Sequence, residues 1–172
     1  MKLGERIFFY QDKNWWTRSG TPDKMPVGEP GGPSTEMFYE YDHIEHDTSY
    51  GEHCHPNCDC GRFLEIGNSV FMAYKKNSEG GFDELENKNV DFGGGLERIA
   101  AASIGTDDIF RISLLYPVIE ELQKVSGKSY EDNVLAMRVI ADHLRAAVFL
   151  VNDGVLPSNK EQGYVLRRFL RR

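Results

Sequence analysis

The sequence predicts an α+β fold, in which an antiparallel sheet is followed by a group of helices. Two observations support this prediction. Up to about residue 90, short runs of apolar and aromatic residues are separated by clusters of Gly, Pro and Asn, as is typical of strands and their turns. Beyond that point, apolar residues recur at helical spacing. Because the strand-like and helix-like parts do not alternate along the chain, they favour α+β over a parallel α/β architecture.

Strand composition is found in three segments, at residues 7–10, 36–41 and 63–74. The second and third segments place acidic residues, Glu36 and Glu65, among apolar ones. One face of each strand is therefore expected to be buried and the other to line a polar site. Residues 17–34 are rich in Gly and Pro and too long for a simple connection, so we expect a functional or mobile loop there.

Four helices are expected in the second part of the chain, where apolar residues share a helical face. In chain order these are residues 96–103, a helix capped by Asp107 and Asp108 that runs to Leu122, residues 131–152, and a basic helix from Tyr164. Gly105 and Gly154 follow the first and the third of them, where glycine commonly ends a helix.

The overall composition narrows the class of protein. With 172 residues, of which 40% are apolar and 27% charged, the chain has the composition of an ordinary soluble globular protein. No apolar run approaches the ~18–20 residues of a membrane span and no signal peptide opens the chain, so we expect a cytoplasmic protein without membrane partners. The net charge of -7 argues against a surface made for nucleic acid as a whole, although residues 160–172 carry a basic cluster.

All the cysteines lie in one short segment, HCHPNCDC (53–60). An odd number of clustered cysteines does not fit a disulfide framework and indicates metal or free thiols. Thiolates beside an imidazole are suited to tetrahedral zinc, and the expected ligands are Cys54, Cys58, Cys60 and His55. The zinc would be structural, because a short irregular loop has no core of its own. Two alternatives stay open: unligated cysteines in a loop, or a solvated histidine-rich hairpin that includes His43 and His46.

The segment VDFGGGLER (90–98) places three consecutive glycines between a strand-like run and a helix-forming one. Glycine is unfavourable inside regular elements, so the run needs a reason. One interpretation is a tight turn from strand to helix. The other is a site where backbone N–H groups and a helix N-terminus face an anionic ligand, with Arg98 adding a fixed positive charge. The spacing leaves both interpretations open.

Four segments together resemble a known family. VDFGGGLER resembles motif 3 of class II aminoacyl-tRNA synthetases, in the D-x-G-x-G-L-E-R form of the alanyl-tRNA synthetases. VGEPGGPSTEMFYE (27–40) and FLEIGNSVFMAYKK (63–76) are similar to that family's G-P…S/T-E-I-F-Y-D and E-I-x-N-x-V-F-M segments. RVIADHLRAAVFLVNDGVLPSNKEQGYVLRRFLRR (138–172) resembles its long A-D-H-x-R…D-G-x-x-P-S-N…G-Y-x-L-R-R-x-x-R-R signature. The resemblance extends over nearly the whole chain, and its last segment is highly specific.

This resemblance implies a site for alanine and for Mg-bound ATP. The residues that match the family's alanine pocket are Trp16, Asn68, Asp91 and Gly93. Asp91 would hold the α-ammonium group of alanine in a charge-assisted pair, whereas Trp16 is alternatively a core aromatic. Arg98 would contact ATP, and Gly95 would leave room for the nucleotide. No catalytic nucleophile is expected, since alanine activation works by positioning and charge neutralisation.

The sequence departs from the family's commoner pattern at three places. Gly67 replaces a tryptophan, Phe92 replaces a threonine, and the loop at residues 17–30 is longer than usual. All three departures concern the lining of the pocket, so we expect the lining to differ from that of the family while the type of site stays the same.

For the C-terminal segment, the resemblance implies contact with the acceptor stem of tRNA(Ala). Asn159 of the P-S-N sequence would read the minor groove near a G·U pair, where an amide offers both a donor and an acceptor. The basic side chains that would bind phosphates without sequence preference are Arg167, Arg168, Arg171 and Arg172. Composition by itself leaves the alternative of a solvated charged face.

The resemblance also predicts the organisation of the chain. Residues 1–127 would form the C-terminal portion of a class II catalytic domain with a Cys/His loop at 43–60, and residues 128–172 the start of a helical tRNA-recognition domain. Motifs 1 and 2 of the family are not found, so we expect a fragment of an alanine–tRNA ligase that is inactive by itself or is completed by a second chain. The alternative is a freestanding zinc-bearing module that binds an acceptor stem without catalysis, or one half of a split synthetase.

Overall fold

The computed structural model describes residues 4–172, and its chain divides between Asp107 and Asp108 into two units. Among the described residues, the first unit holds an antiparallel sheet with one α-helix and the second holds three α-helices. The predicted α+β class is therefore confirmed. The boundary predicted after residue 127 describes functional regions and stays a prediction. Within residues 4–172, no helix is long and apolar enough to cross a membrane.

The sheet of the first unit has four strands among the described residues, paired antiparallel in the order of the chain. They are β1 (Trp15–Trp16), β2 (Pro30–Glu40), β3 (Phe63–Lys76) and β4 (Phe82–Gly94). β3 is flanked on both sides, by β2 and by β4. Helix α1 (Leu96–Ser103) follows β4 directly, and its first turn is closed by a hydrogen bond from the Ile99 N–H to the Gly95 carbonyl.

The strand predicted at residues 7–10 is wrong. Ile7 makes an isolated bridge, and the three residues after it are not in a strand. Phe9 is 76% exposed, and Phe8 stacks on Tyr10 instead of covering a sheet. Strand composition reports how well side chains fit a pleated, half-buried surface, and this run has no such surface beneath it.

Part of the segment predicted as a loop, residues 17–34, belongs to β2. Gly32 allows this pairing, because a Cβ atom there would lie 1.8 Å from the carbonyl oxygen of Phe71 in β3. Glycine lets the two backbones approach this closely. The sequence does not predict the length of β4 either, because most of its residues are polar and exposed.

The described helices of the second unit are α2 (Tyr116–Ser126), α3 (Val134–Asn152) and α4 (Glu161–Arg171). α3 and α4 lie where the sequence predicts helices. The helix expected from Asp108 to Leu122 starts later than predicted. Asp108 does accept a hydrogen bond from the Phe110 N–H, but it caps a short 3-10 turn, and α2 begins just before Pro117. Proline favours the first turn of a helix and disfavours the helical conformation in the residue before it.

The core of the second unit combines apolar packing with a polar network. Its buried cluster consists of Ile119, Tyr130, Met137 and Ala141. The Tyr130 hydroxyl donates to Asp108 Oδ2 (2.7 Å) and accepts from Arg138 Nε (2.9 Å). Burial by itself raises the pKa of Asp108, but the hydrogen bonds from Tyr130 and Arg138 outweigh burial and hold this pKa below its ordinary value.

Replacing Tyr130 by phenylalanine is expected to lower the free energy of unfolding by about 1–2 kcal/mol, because buried Asp108 and half-buried Arg138 each lose a hydrogen bond. The lowered pKa of Asp108 means that its contribution is present above its unfolded pKa and is lost as the pH falls through the folded pKa. The difference between wild type and variant should therefore shrink below about pH 4. Urea unfolding followed by circular dichroism measures both effects. Tyr116→Phe, at a partly buried position of the same core, is the control, and equal effects in the two variants would contradict the prediction.

Candidate functional site

One face of the sheet collects residues predicted to bind alanine. In the strand register, Asn68 of β3 lies opposite Glu36 of β2 and opposite Gly93 of β4, and Asp91 is two residues before Gly93. Residues two apart in a strand share a face, so these positions project to the same side. Asn68 Nδ2 lies 3.5 Å from Glu36 Oε1, in agreement with this register. The structure thus brings Asn68, Asp91 and Gly93 together, and it adds Glu36.

A β-bulge brings Glu65 to the same face. The pairing of β2 with β3 skips Ile66, which is the extra residue of the bulge. Without the bulge, Glu65 would project to the opposite side from Asn68. Arg98 of α1 reaches back to Glu65, where its Nη1 donates to the backbone carbonyl (3.2 Å) and to carboxylate Oε2 (3.3 Å). The predicted ATP ligand is therefore held at the edge of the predicted alanine site.

The electrostatics of this face favour a cationic ligand. Burial, and then the negative charge of Glu65, raise the pKa of Glu36. Asn68 Oδ1 is buried and has no hydrogen-bond partner among the described residues. A buried acceptor without a donor is unfavourable, so it indicates a missing partner. With the exposed carboxylate of Asp91, it offers two acceptors to a donor such as an ammonium group.

The three glycines at residues 93–95 have different surroundings. A Cβ atom at Gly93 would meet no atom within 4 Å, so this position opens onto the face. At Gly94 a Cβ would lie 3.1 Å from the Phe92 ring, and at Gly95 it would lie 3.0 Å from Arg98 Cδ. None of these three residues has a positive φ angle. Gly94 and Gly95 therefore leave room for the side chains of Phe92 and Arg98, and Gly93 leaves open space beside Asn68. The run does not form a left-handed turn.

Trp16 lies at the edge of the same face. It is opposite Gly32 of β2, and Gly32 precedes Glu36 by four residues, so strand alternation puts Trp16 on the side of Glu36. Trp16 is 38% exposed, whereas Trp15 stacks on Tyr74 with 5.6 Å between ring centroids. Packing inside the unit thus involves Trp15, and Trp16 has the more open position.

A second cluster lies in the connection between β2 and β3. One donor atom from each of four residues lies within 4.8 Å of the others, in His46, Cys54, Cys58 and Cys60. The Sγ atoms of Cys54 and Cys60 are 3.6 Å apart, and Cys58 Sγ is 3.7 Å from His46 Nδ1. Tetrahedral zinc with Zn–S bonds of about 2.3 Å separates its sulfur ligands by about 3.8 Å. The donor types and their spacing fit zinc.

His46, rather than the expected His55, stands beside the three sulfurs. His46 Nε2 is 2.9 Å from the Gly51 carbonyl, which only accepts, so Nε2 carries the proton and Nδ1 is available to a metal. His55 instead contacts Tyr10, with its Nδ1 2.9 Å from the hydroxyl oxygen. Adjacency to the cysteines favours His55 in the sequence. The only indication of His46 in the sequence is that it lies in the same loop. The folded loop is needed to show that His46, and not His55, faces the sulfurs.

The surroundings of the sulfurs set their protonation. Before a metal binds, His46 in its doubly protonated form donates a hydrogen bond to Cys60; this bond, and then one from the Arg62 backbone, lower the pKa of Cys60 to about 6. Burial, and then a hydrogen bond to Cys60, raise the pKa of Cys54 to about 11. One thiolate is thus available at neutral pH, whereas a metal ion has to displace a proton from Cys54.

The loop around this cluster has very little core of its own. Of residues 42–62, Cys58 is the one that is buried. The base of the loop is closed by a hydrogen bond from the Tyr41 N–H to the Arg62 carbonyl (2.8 Å) and by an ion pair between Arg62 and Glu40 (2.8 Å). Between the base of the loop and its tip, a metal bound by the four donor side chains would supply the main cross-link.

The basic segment of the second unit forms a third candidate site. Asn159 is exposed in the loop before α4, and Arg167 of α4 donates from Nη1 to Asn159 Oδ1. Arg168 lies over the Tyr164 ring, 5.9 Å from its centroid. A cavity of about 550 Å³ is lined by aromatic and basic side chains that include His143, Phe169, Arg171 and Arg172. The structure therefore brings Asn159 and Arg167 into contact, and it groups Arg167 with the other three arginines around the cavity.

The loop that carries Asn159 is packed tightly against α4. The Ser158 N–H donates to the Gly163 carbonyl (3.0 Å), and Ser158 Oγ donates to the Lys160 carbonyl (2.9 Å). A Cβ atom at Gly163 would lie 2.5 Å from the Leu156 carbonyl oxygen and even closer to Ser158 Oγ. Glu161, the first residue of α4, has a φ angle of 49°, which is uncommon for a residue other than glycine. Asn159 is therefore presented by a constrained backbone.

An antiparallel sheet that ends in a glycine run, followed by a helix whose arginine reaches back to the sheet, agrees with what the resemblance to class II synthetases implies. The model of the family described as tRNA synthetases class II (A) matches residues 3–172. The chain belongs to this family.

Several relatives are alanine–tRNA ligases. That of Petrotoga mobilis is 40% identical over 169 residues, which cover 95% of this chain and 18% of the relative. That of Clostridioides difficile is 42% identical over 165 residues, covering 94% of this chain and 18% of the relative. That of Treponema denticola is 39% identical over 176 residues, covering 98% and 27%. The chain thus spans between 18% and 27% of the length of these relatives.

Replacing Gly163 by alanine is expected to push the loop at residues 156–160 away from α4, because the new Cβ would overlap the Leu156 carbonyl. We expect a loss of about 1–3 kcal/mol in the free energy of unfolding and faster hydrogen exchange of the amides in the loop. Gln162→Ala changes the exposed neighbour on the same helix and is the control. Unchanged exchange in Gly163→Ala would show that the loop does not depend on this close contact.

Proposed function

We propose that this chain is part of an alanine–tRNA ligase, which activates alanine with ATP and transfers it to tRNA. Membership of the family and the ligase relatives support this proposal. The observation that carries it is the unsatisfied Asn68 Oδ1 on the same sheet face as Asp91, next to the open position at Gly93. Two acceptors beside an open space suit the α-ammonium group of a small amino acid.

The nucleotide is proposed to bind at the start of α1. Arg98 is the residue matched to the ATP ligand, and its guanidinium is held by Glu65 at the edge of the alanine face. Activation is an attack of the alanine carboxylate on the α-phosphate of Mg-bound ATP, which forms alanyl-adenylate as the bond between the α- and β-phosphates breaks and pyrophosphate leaves. The chain's residues contribute by orienting the ammonium group at Asp91 and by placing the Arg98 charge beside the phosphates, which are positioning and electrostatic effects.

Replacing Asp91 by asparagine is expected to weaken binding of a non-hydrolysable alanyl-adenylate analogue by about 10- to 100-fold. A charge-assisted hydrogen bond of about 1.5–3 kcal/mol is lost with the carboxylate charge. Isothermal titration calorimetry on the 172-residue chain measures this effect. Binding is a better readout than turnover, because Asp91 and Arg98 are exposed and an open face excludes water poorly.

Glu86→Gln removes one negative charge from an exposed position of the same strand and is the matched control. It is expected to leave the affinity unchanged within about twofold, because exposed charges at a distance are screened. If Asp91→Asn binds the analogue as tightly as the wild type, Asp91 does not hold the ammonium group.

We further propose that His46, Cys54, Cys58 and Cys60 bind one structural zinc ion. The proposal revises the fourth ligand from His55 to His46 and rests on the sulfur separations and on the His46 Nε2–Gly51 contact. Zinc would cross-link a loop that has almost no buried side chains. Clustered thiols also suit a reducing compartment, in line with the expected cytoplasmic location.

His46→Ala is expected to lower zinc affinity at least about 100-fold, whereas His55→Ala should retain one zinc per chain. A residue that binds the metal directly contributes at least as much as the hydrogen bonds that support the ligands, whose loss costs about 10- to 100-fold in metal affinity. Elemental analysis after dialysis against a chelator gives the stoichiometry. The visible spectrum of the Co²⁺ form reports tetrahedral thiolate ligation independently. Loss of zinc in His55→Ala but not in His46→Ala would reverse the assignment.

The third part of the proposal is binding of an RNA acceptor stem by the second unit. Asn159 would contact the minor groove near a G·U pair. Arg168, Arg171 and Arg172 would supply phosphate contacts, and the aromatic side chains that line the cavity beside them add apolar surface. A constrained backbone at Asn159 supports a reading role, since a base contact needs a fixed donor or acceptor position.

A further inference from the structure

The amide of Asn159 has a defined orientation. Arg167 Nη1 donates a hydrogen bond to Asn159 Oδ1. A guanidinium group has donors and no acceptor, so the amide atom that faces it has to be the oxygen. The oxygen and nitrogen ends of an asparagine amide are otherwise hard to distinguish by shape. Here the chemistry of Arg167 selects between them and leaves the Nδ2 donors at the other end of the amide.

Arg167 differs in its environment from the arginines that follow it. It is half-buried, whereas Arg171 and Arg172 are exposed at the end of α4. Its partner Asn159 lies eight residues earlier, before the start of α4, so the contact links the helix to the loop that precedes it. An arginine engaged in this way is less available to a phosphate than an exposed one.

We propose that Arg167 is a positioning residue that holds Asn159 with its Nδ2 donors directed toward RNA. This inference rests on the proposed function, in which this segment binds an acceptor stem. Asn159 then reads an acceptor on the minor-groove edge, such as a pyrimidine O2 or a purine N3. The exocyclic amino group of guanine is a donor and would require the amide oxygen, which Arg167 holds on the side of α4 and of which it occupies one lone pair. Every base pair offers such acceptors in the minor groove, so discrimination comes from their position, which differs in a wobble pair. Arg167 thereby acts on this discrimination through Asn159.

The test uses RNA hairpins that carry one acceptor stem and differ at a single pair. The pair is G·U, G·C or inosine·U, and the last lacks the guanine amino group while retaining uracil O2. The full chain is compared with Asn159→Ala, Arg167→Ala, the double variant and Arg171→Ala, by fluorescence anisotropy at several salt concentrations. Circular dichroism and thermal unfolding establish that each variant is folded.

Asn159→Ala is expected to lose roughly 2- to 10-fold in affinity for the G·U hairpin and the same factor for inosine·U. Arg167→Ala should lose a similar factor on the same hairpins, and the double variant should lose no more than either single variant, since the two residues act as one unit. Arg171→Ala is expected to weaken all hairpins equally and to reduce the salt dependence by about one phosphate contact.

Arg167→Lys distinguishes an effect of the positive charge at this position from an effect of the hydrogen bond to Asn159. A phosphate contact would be restored by lysine in full, whereas the planar hydrogen bond to Asn159 would be restored only in part. The inference is overturned if Arg167→Ala behaves like Arg171→Ala, or if the effect of Asn159→Ala disappears with inosine·U. In both cases the proposed RNA function would still be supported if the wild type discriminates among the hairpins and Asn159→Ala does not. A wild-type chain that binds all three hairpins equally would overturn the proposed function and this inference together.

Discussion

The register of β3 against its two neighbours is the constraint on which the first unit depends. β3 carries Asn68, and its pairing sets which residues of β2 and β4 stand beside that side chain. A slip of one residue would turn Asn68 away from Glu36 and Asp91. Close backbone approach at Gly32 and the bulge at Ile66 both act on this strand. The polar face therefore follows from backbone geometry before any side-chain contact is considered.

The long connection at residues 41–62 bears on the same register, because it joins β2 to β3. Closing a loop of this length is unfavourable in entropy, and the loop recovers little of that by burial, because Cys58 is its one buried residue beyond Tyr41 at the base. A metal that joins His46 to Cys60 would shorten the flexible part of the loop, in the same way as any cross-link within a chain. A bound metal would in this way stabilise the hairpin whose strands carry Glu36 and Asn68.

Local patterns in the sequence predict most of the fold and only part of the sites. Helices α1, α3 and α4 follow from periodicity, and the motifs place Asp91 beside the glycine run. The missed features depend on contacts between distant residues. The position of His46 requires the fold of a loop, and the strand character of β4 comes from pairing with β3. The contact between Arg167 and Asn159 links a loop to a helix and has no signature in composition.

The departures from the family pattern at Gly67 and Phe92 are explained by one another. Gly67 is opposite Gly94 and Phe92 is opposite Ser69, so the two positions are diagonal neighbours on adjacent strands and share a face. A Cβ atom at Gly67 would lie 3.2 Å from the Phe92 ring and 2.9 Å from the methyl group of Met37. A large side chain at position 67 and a phenylalanine at position 92 would therefore compete for one space. The aromatic ring that β3 lacks is supplied by β4, on the face of the sheet opposite to Asn68. The expectation that these two departures change the lining of the pocket is therefore wrong, because neither position lies on the polar face.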